Sequence, residues 1–68
     1  MDEALLNLFN LYLQEQRVWE TRETVKKIEE RATTELTPHS VALLNEIGNI
    51  FRNHGKNYES IEYYKKAL

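Results

Sequence analysis

The sequence of 68 residues contains no cysteine, one proline and two glycines. Without cysteine there can be neither a disulfide nor a thiolate metal site. No apolar run approaches the roughly 20 residues that a membrane-spanning helix needs. Asp2 and Glu3 stand where a signal peptide has its basic segment. These absences predict a protein of the cytoplasm, with the nucleus left open, and no membrane partner.

The sequence also has little excess of one sign of charge over the other. Nine Lys and Arg residues against eleven Asp and Glu residues give a formal net charge of −2. Because nucleic-acid binding uses a clustered basic face, we expect no nucleic-acid partner. The acidic residues alternate with basic ones, as on a solvated helix face. No group of side chains suggests catalysis, so we predict that the protein is not an enzyme and uses no cofactor or metal.

The clearest pattern lies in residues 41–68. Leu44, Ile47 and Phe51 recur at i, i+3 and i+7, the spacing of one helix face. Gly48 lies beside that face, where the absence of a side chain lets a second helix approach. Gly55 follows and can adopt the left-handed conformation that ends a helix. The pattern predicts a helix, a tight turn and a second helix.

This segment resembles one tetratricopeptide repeat. Two positions depart from the family pattern: the aromatic residue Tyr58 comes one place late, and Ser60 replaces the usual Ala. The resemblance implies an all-α fold of antiparallel helical hairpins stacked in a right-handed α-solenoid, with a concave face that binds other proteins. The residues that carry it are Leu44, Ile47, Gly48, Phe51, Gly55, Tyr58, Ser60, Tyr64, Ala67 and Leu68.

The first half repeats the same framework at an offset of 39 residues. Tyr58 then aligns with Trp19, and Phe51 aligns with Tyr12. We therefore predict one domain over residues 1–68, with repeats at about 2–36 and 38–68, cut from a longer array. The second helix of the first repeat would extend through Leu36.

The boundary inside the first repeat is less well marked, because residues 2–36 contain neither Gly nor Pro. A shift in the apolar stripe favours a break near residues 15–18, and one continuous helix is the alternative. Thr37 and Pro38 are typical of an N-cap and first helical position, so we expect the third helix to start there. The fourth helix is expected from about Asn57.

The same periodicity predicts the core. Its expected members are Leu5, Leu8, Phe9, Tyr12, Trp19, Val25, Ile28, Leu44, Ile47, Phe51, Tyr58, Ile61 and Tyr64.

The family resemblance implies that a peptide or helix binds on the first helix of each repeat. Asn10 and Asn49 are equivalent at the offset of 39, and an Asn amide can both donate to and accept from a peptide backbone. The predicted peptide-binding groove comprises Asn10, Asn45, Asn49, Arg52 and Asn53. Our leading hypothesis is a protein-interaction scaffold.

The alternative function is self-assembly. The first helix has leucines on most sides, and a helix that is apolar all round is normally buried. We expect a homo-oligomer with Leu6, Leu11 and Leu13 at or near the contact. A second candidate surface lies at the end of the last helix, around Leu68.

Overall fold

The computed structural model describes residues 2–34 and 37–68, which form four helices. These are α1 (Asp2–Gln14), α2 (Val18–Thr34), α3 (Pro38–Asn53) and α4 (Asn57–Ala67). The predicted all-α class is confirmed. Helix α1 packs on α2, α3 packs on α4, and α3 also packs on α2. The chain is therefore two helical hairpins joined mainly through α2 and α3. Of these four helices, none has the length and apolar character needed to cross a membrane.

The helix boundaries repeat with the offset found in the sequence. Helix α1 ends at Gln14 and α3 ends 39 residues later at Asn53, while α2 begins at Val18 and α4 begins 39 residues later at Asn57. The predicted break near residues 15–18 is confirmed, and the alternative of one continuous helix is wrong. Helix α2 is described as far as Thr34, so the end of its predicted extension lies outside the described residues.

Both turns close with the same pair of backbone hydrogen bonds. The N–H groups of Gln16 and Arg17 donate to carbonyls at the end of α1, at 3.1 and 2.9 Å. Those of Gly55 and Lys56 donate to the equivalent carbonyls of α3, both at 2.9 Å. This Schellman arrangement requires one left-handed residue, which is Gln16 at φ 59° in the first turn and Gly55 at φ 76° in the second.

The start of α3 follows the predicted cap. Thr37 has extended backbone, and its hydroxyl accepts a hydrogen bond from the N–H of Ser40 at 3.2 Å. Pro38 occupies the first helical position, where its missing N–H leaves no bond unmade.

A chain of aromatic rings passes through the core. The Phe9 ring meets Phe51 edge-on, with centroids 5.1 Å apart, and Phe51 stacks on Tyr63 at 5.6 Å. Six of the predicted core residues are confirmed as buried: Phe9, Val25, Ile28, Leu44, Ile47 and Phe51. Three further buried apolar residues, Leu13, Ala32 and Leu43, were not predicted.

Four predicted core residues are instead exposed: Leu8 at 38%, Trp19 at 71%, Tyr58 at 87% and Ile61 at 50%. Trp19 precedes the buried Ile28 by nine residues, which at about 100° per residue puts it on the opposite side of α2. Tyr58 is related in the same way to the half-buried Ala67 of α4. The predictions for Trp19 and Tyr58 are wrong because each lies on the side of its helix that faces away from the buried positions.

Gly48 of α3 lies directly against the ring of Tyr64 on α4. A Cβ atom placed there would lie 2.8 Å from the Tyr64 ring, so the predicted close approach at Gly48 is confirmed. In the first hairpin the equivalent positions hold Phe9 and Val25. The large ring is therefore Phe9 on the first helix of the first hairpin, and Tyr64 on the second helix of the second hairpin.

This exchange of size predicts a compensating pair of substitutions. We expect Gly48→Phe alone to destabilise the fold by roughly 1–3 kcal/mol through overpacking. Adding Tyr64→Val should recover part of that loss, because it recreates the pair found in the first hairpin. Denaturant unfolding of the single and double variants measures the coupling, with Ala42→Phe at an exposed position of α3 as control. Strictly additive effects would contradict this packing.

The left-handed residues of the two turns predict changes in stability of opposite sign. Gln16→Gly should stabilise the chain by about 1 kcal/mol, because a left-handed conformation costs an L-residue roughly that much. Gly55→Gln should destabilise it by a similar amount, since no heavy atom lies within 4 Å to crowd a new Cβ. Thermal unfolding of the two variants is the measurement. A loss of stability in Gln16→Gly would count against the left-handed turn.

Candidate functional site

Among the described residues, an open groove with a volume of about 740 Å³ lies between α2 and α4. We call it the α2–α4 groove. The C-terminal ends of α1 and α3 contribute to its base. Its lining residues are Leu13, Gln14, Gln16, Val18, Thr21, Arg22, Val25, Lys26, Glu29, Phe51, His54, Lys56, Glu59 and Tyr63.

The floor of the α2–α4 groove is apolar. Leu13, Val25 and Phe51 line it, and each is at most 8% exposed. Thr21 also lies there, but its hydroxyl donates to the Arg17 carbonyl within α2 at 2.6 Å. This internal bond satisfies the buried hydroxyl, and the Thr21 methyl group then contributes to the apolar floor. An apolar side chain placed on this floor would meet no unsatisfied polar atom of these residues.

One end of the α2–α4 groove is bridged by a polar cluster. The Tyr63 hydroxyl of α4 donates to Glu29 Oε2 of α2 at 3.1 Å. Lys66 Nζ forms an ion pair with the same carboxylate and lies 4.7 Å from the centre of the Tyr63 ring. The cluster therefore ties α2 to α4 across the gap. Burial raises the pKa of the Tyr63 phenol, and the charge and hydrogen bond of Glu29 raise it further.

The rim of the α2–α4 groove is predominantly basic. Arg22, Lys26 and Lys56 line it and are exposed. Within the described residues, none of these three cations takes part in an ion pair. Of the two lining carboxylates, Glu29 is held by Lys66. The exposed Glu59 is the other, so three cations face one carboxylate that has no ion pair, and the groove carries an excess of positive charge in a chain with a net charge of −2.

The five residues predicted to form a peptide-binding groove lie elsewhere, and none lines the α2–α4 groove. Asn10 and Asn49 share an equivalent position but make different contacts. Asn10 Oδ1 lies 2.9 Å from His54 Nε2, and Asn49 Oδ1 accepts a hydrogen bond from the Tyr64 hydroxyl. The amide oxygen of each is therefore engaged inside the chain. The remaining three, Asn45, Arg52 and Asn53, are exposed on α3.

The residues predicted for self-association differ in how exposed they are. Leu11 is 47% exposed and Leu68 is fully exposed, whereas Leu6 is half-buried. Leu13 is 8% exposed and belongs to the core. Its predicted place on an exposed apolar face is wrong, because it lies in the buried apolar cluster with Phe9, Val25 and Phe51.

Sequence reasoning did not identify the α2–α4 groove. A signal was present on α2, where Val18, Arg22, Val25 and Glu29 recur at i, i+4, i+7 and i+11. That spacing defines one helix face with apolar and charged residues mixed. Such a face is typical of the wall of a groove, but the facing wall on α4 becomes known only from the packing of the hairpins.

Comparison with protein-family models, with curated proteins and with solved structures gives no match for this chain.

The raised pKa of Tyr63 predicts a loss of stability in alkali. Because the unfolded phenol ionises near pH 10, the contribution of neutral Tyr63 is complete below that pH and decreases as the pH rises above it. Tyr63→Phe should therefore lose less thermal stability than wild type between pH 9 and about 11. Tyr58→Phe is the matched control, because Tyr58 is 87% exposed. Equal pH dependence in all three proteins would contradict the buried contact with Glu29.

Proposed function

We propose that this chain is a protein-interaction module of the tetratricopeptide type, part of a right-handed α-solenoid, which binds an acidic peptide or helix. The observation that carries the proposal is the α2–α4 groove, whose apolar floor is flanked by three cations with no ion-pair partner among the described residues. The family assignment is supported by the residue pattern and by the helix boundaries that repeat after 39 residues. The absence of catalytic activity and the cytoplasmic location stay predictions.

The floor and the rim have different roles in this proposal. A large apolar side chain of the partner would cover Leu13, Val25 and Phe51, and its burial would supply most of the binding free energy. Carboxylates on either side of that residue would approach Arg22 and Lys26. Charge complementarity of this kind favours encounter and selects against basic partners.

The second candidate site is the face of α1 and α3 first predicted from the sequence. It retains the amide N–H groups of Asn10 and Asn49, although their oxygens are already engaged. The two equivalent Asn residues could therefore offer an extended backbone donors only, so we rank this face below the α2–α4 groove.

Selection from a displayed random-peptide library tests the choice between the two faces. We expect the selected peptides to contain a large apolar residue flanked by Asp or Glu. The affinity of the best peptide should fall by about tenfold or more in the double variant Arg22→Glu with Lys26→Glu, corresponding to ~1.4 kcal/mol or above. The control, Lys27→Glu with Lys65→Glu, reverses two exposed charges outside the groove.

Two outcomes would overturn the groove assignment. One is peptide binding that survives the Arg22 and Lys26 reversals but is lost in Asn49→Ala with Arg52→Ala, which would place the site on the α3 face. The other is an equal loss of affinity in the control variant, which would mean that the overall charge of the chain and not the groove determines binding.

A further inference from the structure

One titratable side chain of the α2–α4 groove has no part in the function proposed above. His54 is the C-cap residue of α3, is half-buried and lines the groove. Its ring is held from α1, because Nε2 lies 2.9 Å from the amide oxygen of Asn10. An amide oxygen can only accept a hydrogen bond, so Nε2 of His54 carries the hydrogen.

The other ring nitrogen of His54, Nδ1, is open to a partner. Within the described residues it has no hydrogen-bond partner. The same part of the chain contains no buried side-chain nitrogen or oxygen that lacks a partner, so Nδ1 must lie at the accessible surface. A ring that is already held in place loses little freedom when its second nitrogen binds a ligand.

Charged groups from α2 and from the start of α4 share the groove with His54. The lining residues that titrate or carry a charge are Arg22, Lys26, Glu29, Lys56, Glu59 and Tyr63. Glu29 is held by Lys66. Tyr63 has a raised pKa and stays neutral at and below neutral pH. The α1 residues that meet His54 or the groove beside it, Asn10 and Gln14, carry no charge.

We propose that His54 makes the α2–α4 groove pH-sensitive, its protonated ring binding a carboxylate of the acidic partner through Nδ1–H. This inference rests on the proposed function of the groove. Imidazole is the side chain that ordinarily gains its charge between about pH 8 and 5. A proton on Nδ1 converts an acceptor into a charged donor and gives the groove a fourth cation. Because charge-assisted hydrogen bonds are stronger than neutral ones, the partner should bind more tightly at lower pH.

Protonation leaves the contact between the hairpins intact. Nε2 carries a hydrogen in the neutral ring and in the charged ring, so its bond to Asn10 exists in both states. The new charge lies at the C-terminal end of α3, where the helix dipole favours a cation. Repulsion from the basic rim opposes the new charge, and the carboxylates of a bound partner offset that repulsion. Partner binding and protonation of His54 therefore favour each other.

Calorimetric titration with one peptide at about pH 8 and about pH 5.5 tests the proposal. The probe is the library-selected acidic peptide, acetylated, amidated and free of His, so that its carboxylates stay ionised at both pH values. We expect wild type to bind it about tenfold more tightly at the lower pH. His54→Gln should lose this gain. His39→Gln, at the exposed start of α3, is the matched control and should keep it.

The composition of the chain makes the assignment sharp. It contains two histidines and no cysteine, so no third side chain ordinarily titrates in this pH range. A second measurement needs no variant: at about pH 6.5, the ordinary midpoint of an imidazole, binding to wild type should take up protons. The uptake is obtained from the binding heats in two buffers of different ionisation enthalpy.

The outcomes separate this inference from the function on which it rests. Equal affinity at both pH values, or binding without proton uptake, would overturn the role of His54 and leave the groove function standing. A gain that survives His54→Gln and disappears in His39→Gln would assign the pH dependence to His39 and overturn the inference. Failure of any acidic peptide to bind at either pH would overturn the proposed function, and this inference with it.

Discussion

The contact between Phe9 and Phe51 is the interaction on which the rest of the structure depends. It joins the first helix of each hairpin, and Phe51 then stacks on Tyr63 of α4. A 68-residue chain buries only about 60% of its unfolded surface. Few buried side chains are therefore available to hold its two hairpins together. Phe51 performs three tasks, since it joins the hairpins, orients Tyr63 and forms part of the floor of the α2–α4 groove.

The two hairpins reach the same geometry with different residues. Their turns make equivalent hydrogen bonds, although one has Gln16 and the other Gly55 at the left-handed position. Their close contacts exchange large and small residues, Phe9 with Val25 against Gly48 with Tyr64. What repeats is the backbone and one large ring in each pair, which is Phe9 of α1 in the first hairpin and Tyr64 of α4 in the second.

Much of the fold could be predicted because its signals are local. Thr37 and Pro38 mark a helix start through their own hydrogen-bonding chemistry, and the break near Gln16 follows from a shift in the apolar stripe. Trp19 and Tyr58 are exposed although the repeat pattern predicts both in the core, because their angle around the helix axis turns them away from it.

The candidate site could not be predicted in the same way. The α2–α4 groove depends on the gap between two helices that are separated in sequence, and on the Tyr63–Glu29 bond that spans it. The engagement of Asn10 by His54 likewise depends on how the second hairpin packs on the first. Sequence periodicity describes the faces of single helices, and both of these features arise between helices.

The most direct test of the account is a nuclear Overhauser measurement on the aromatic ring protons in solution. The account predicts cross-peaks between Phe9 and Phe51 and between Phe51 and Tyr63, because their ring centres lie 5.1 and 5.6 Å apart. Cross-peaks from Phe51 to Tyr63 with none to Phe9 would mean that α1 and α3 do not meet through these rings, and would contradict the account.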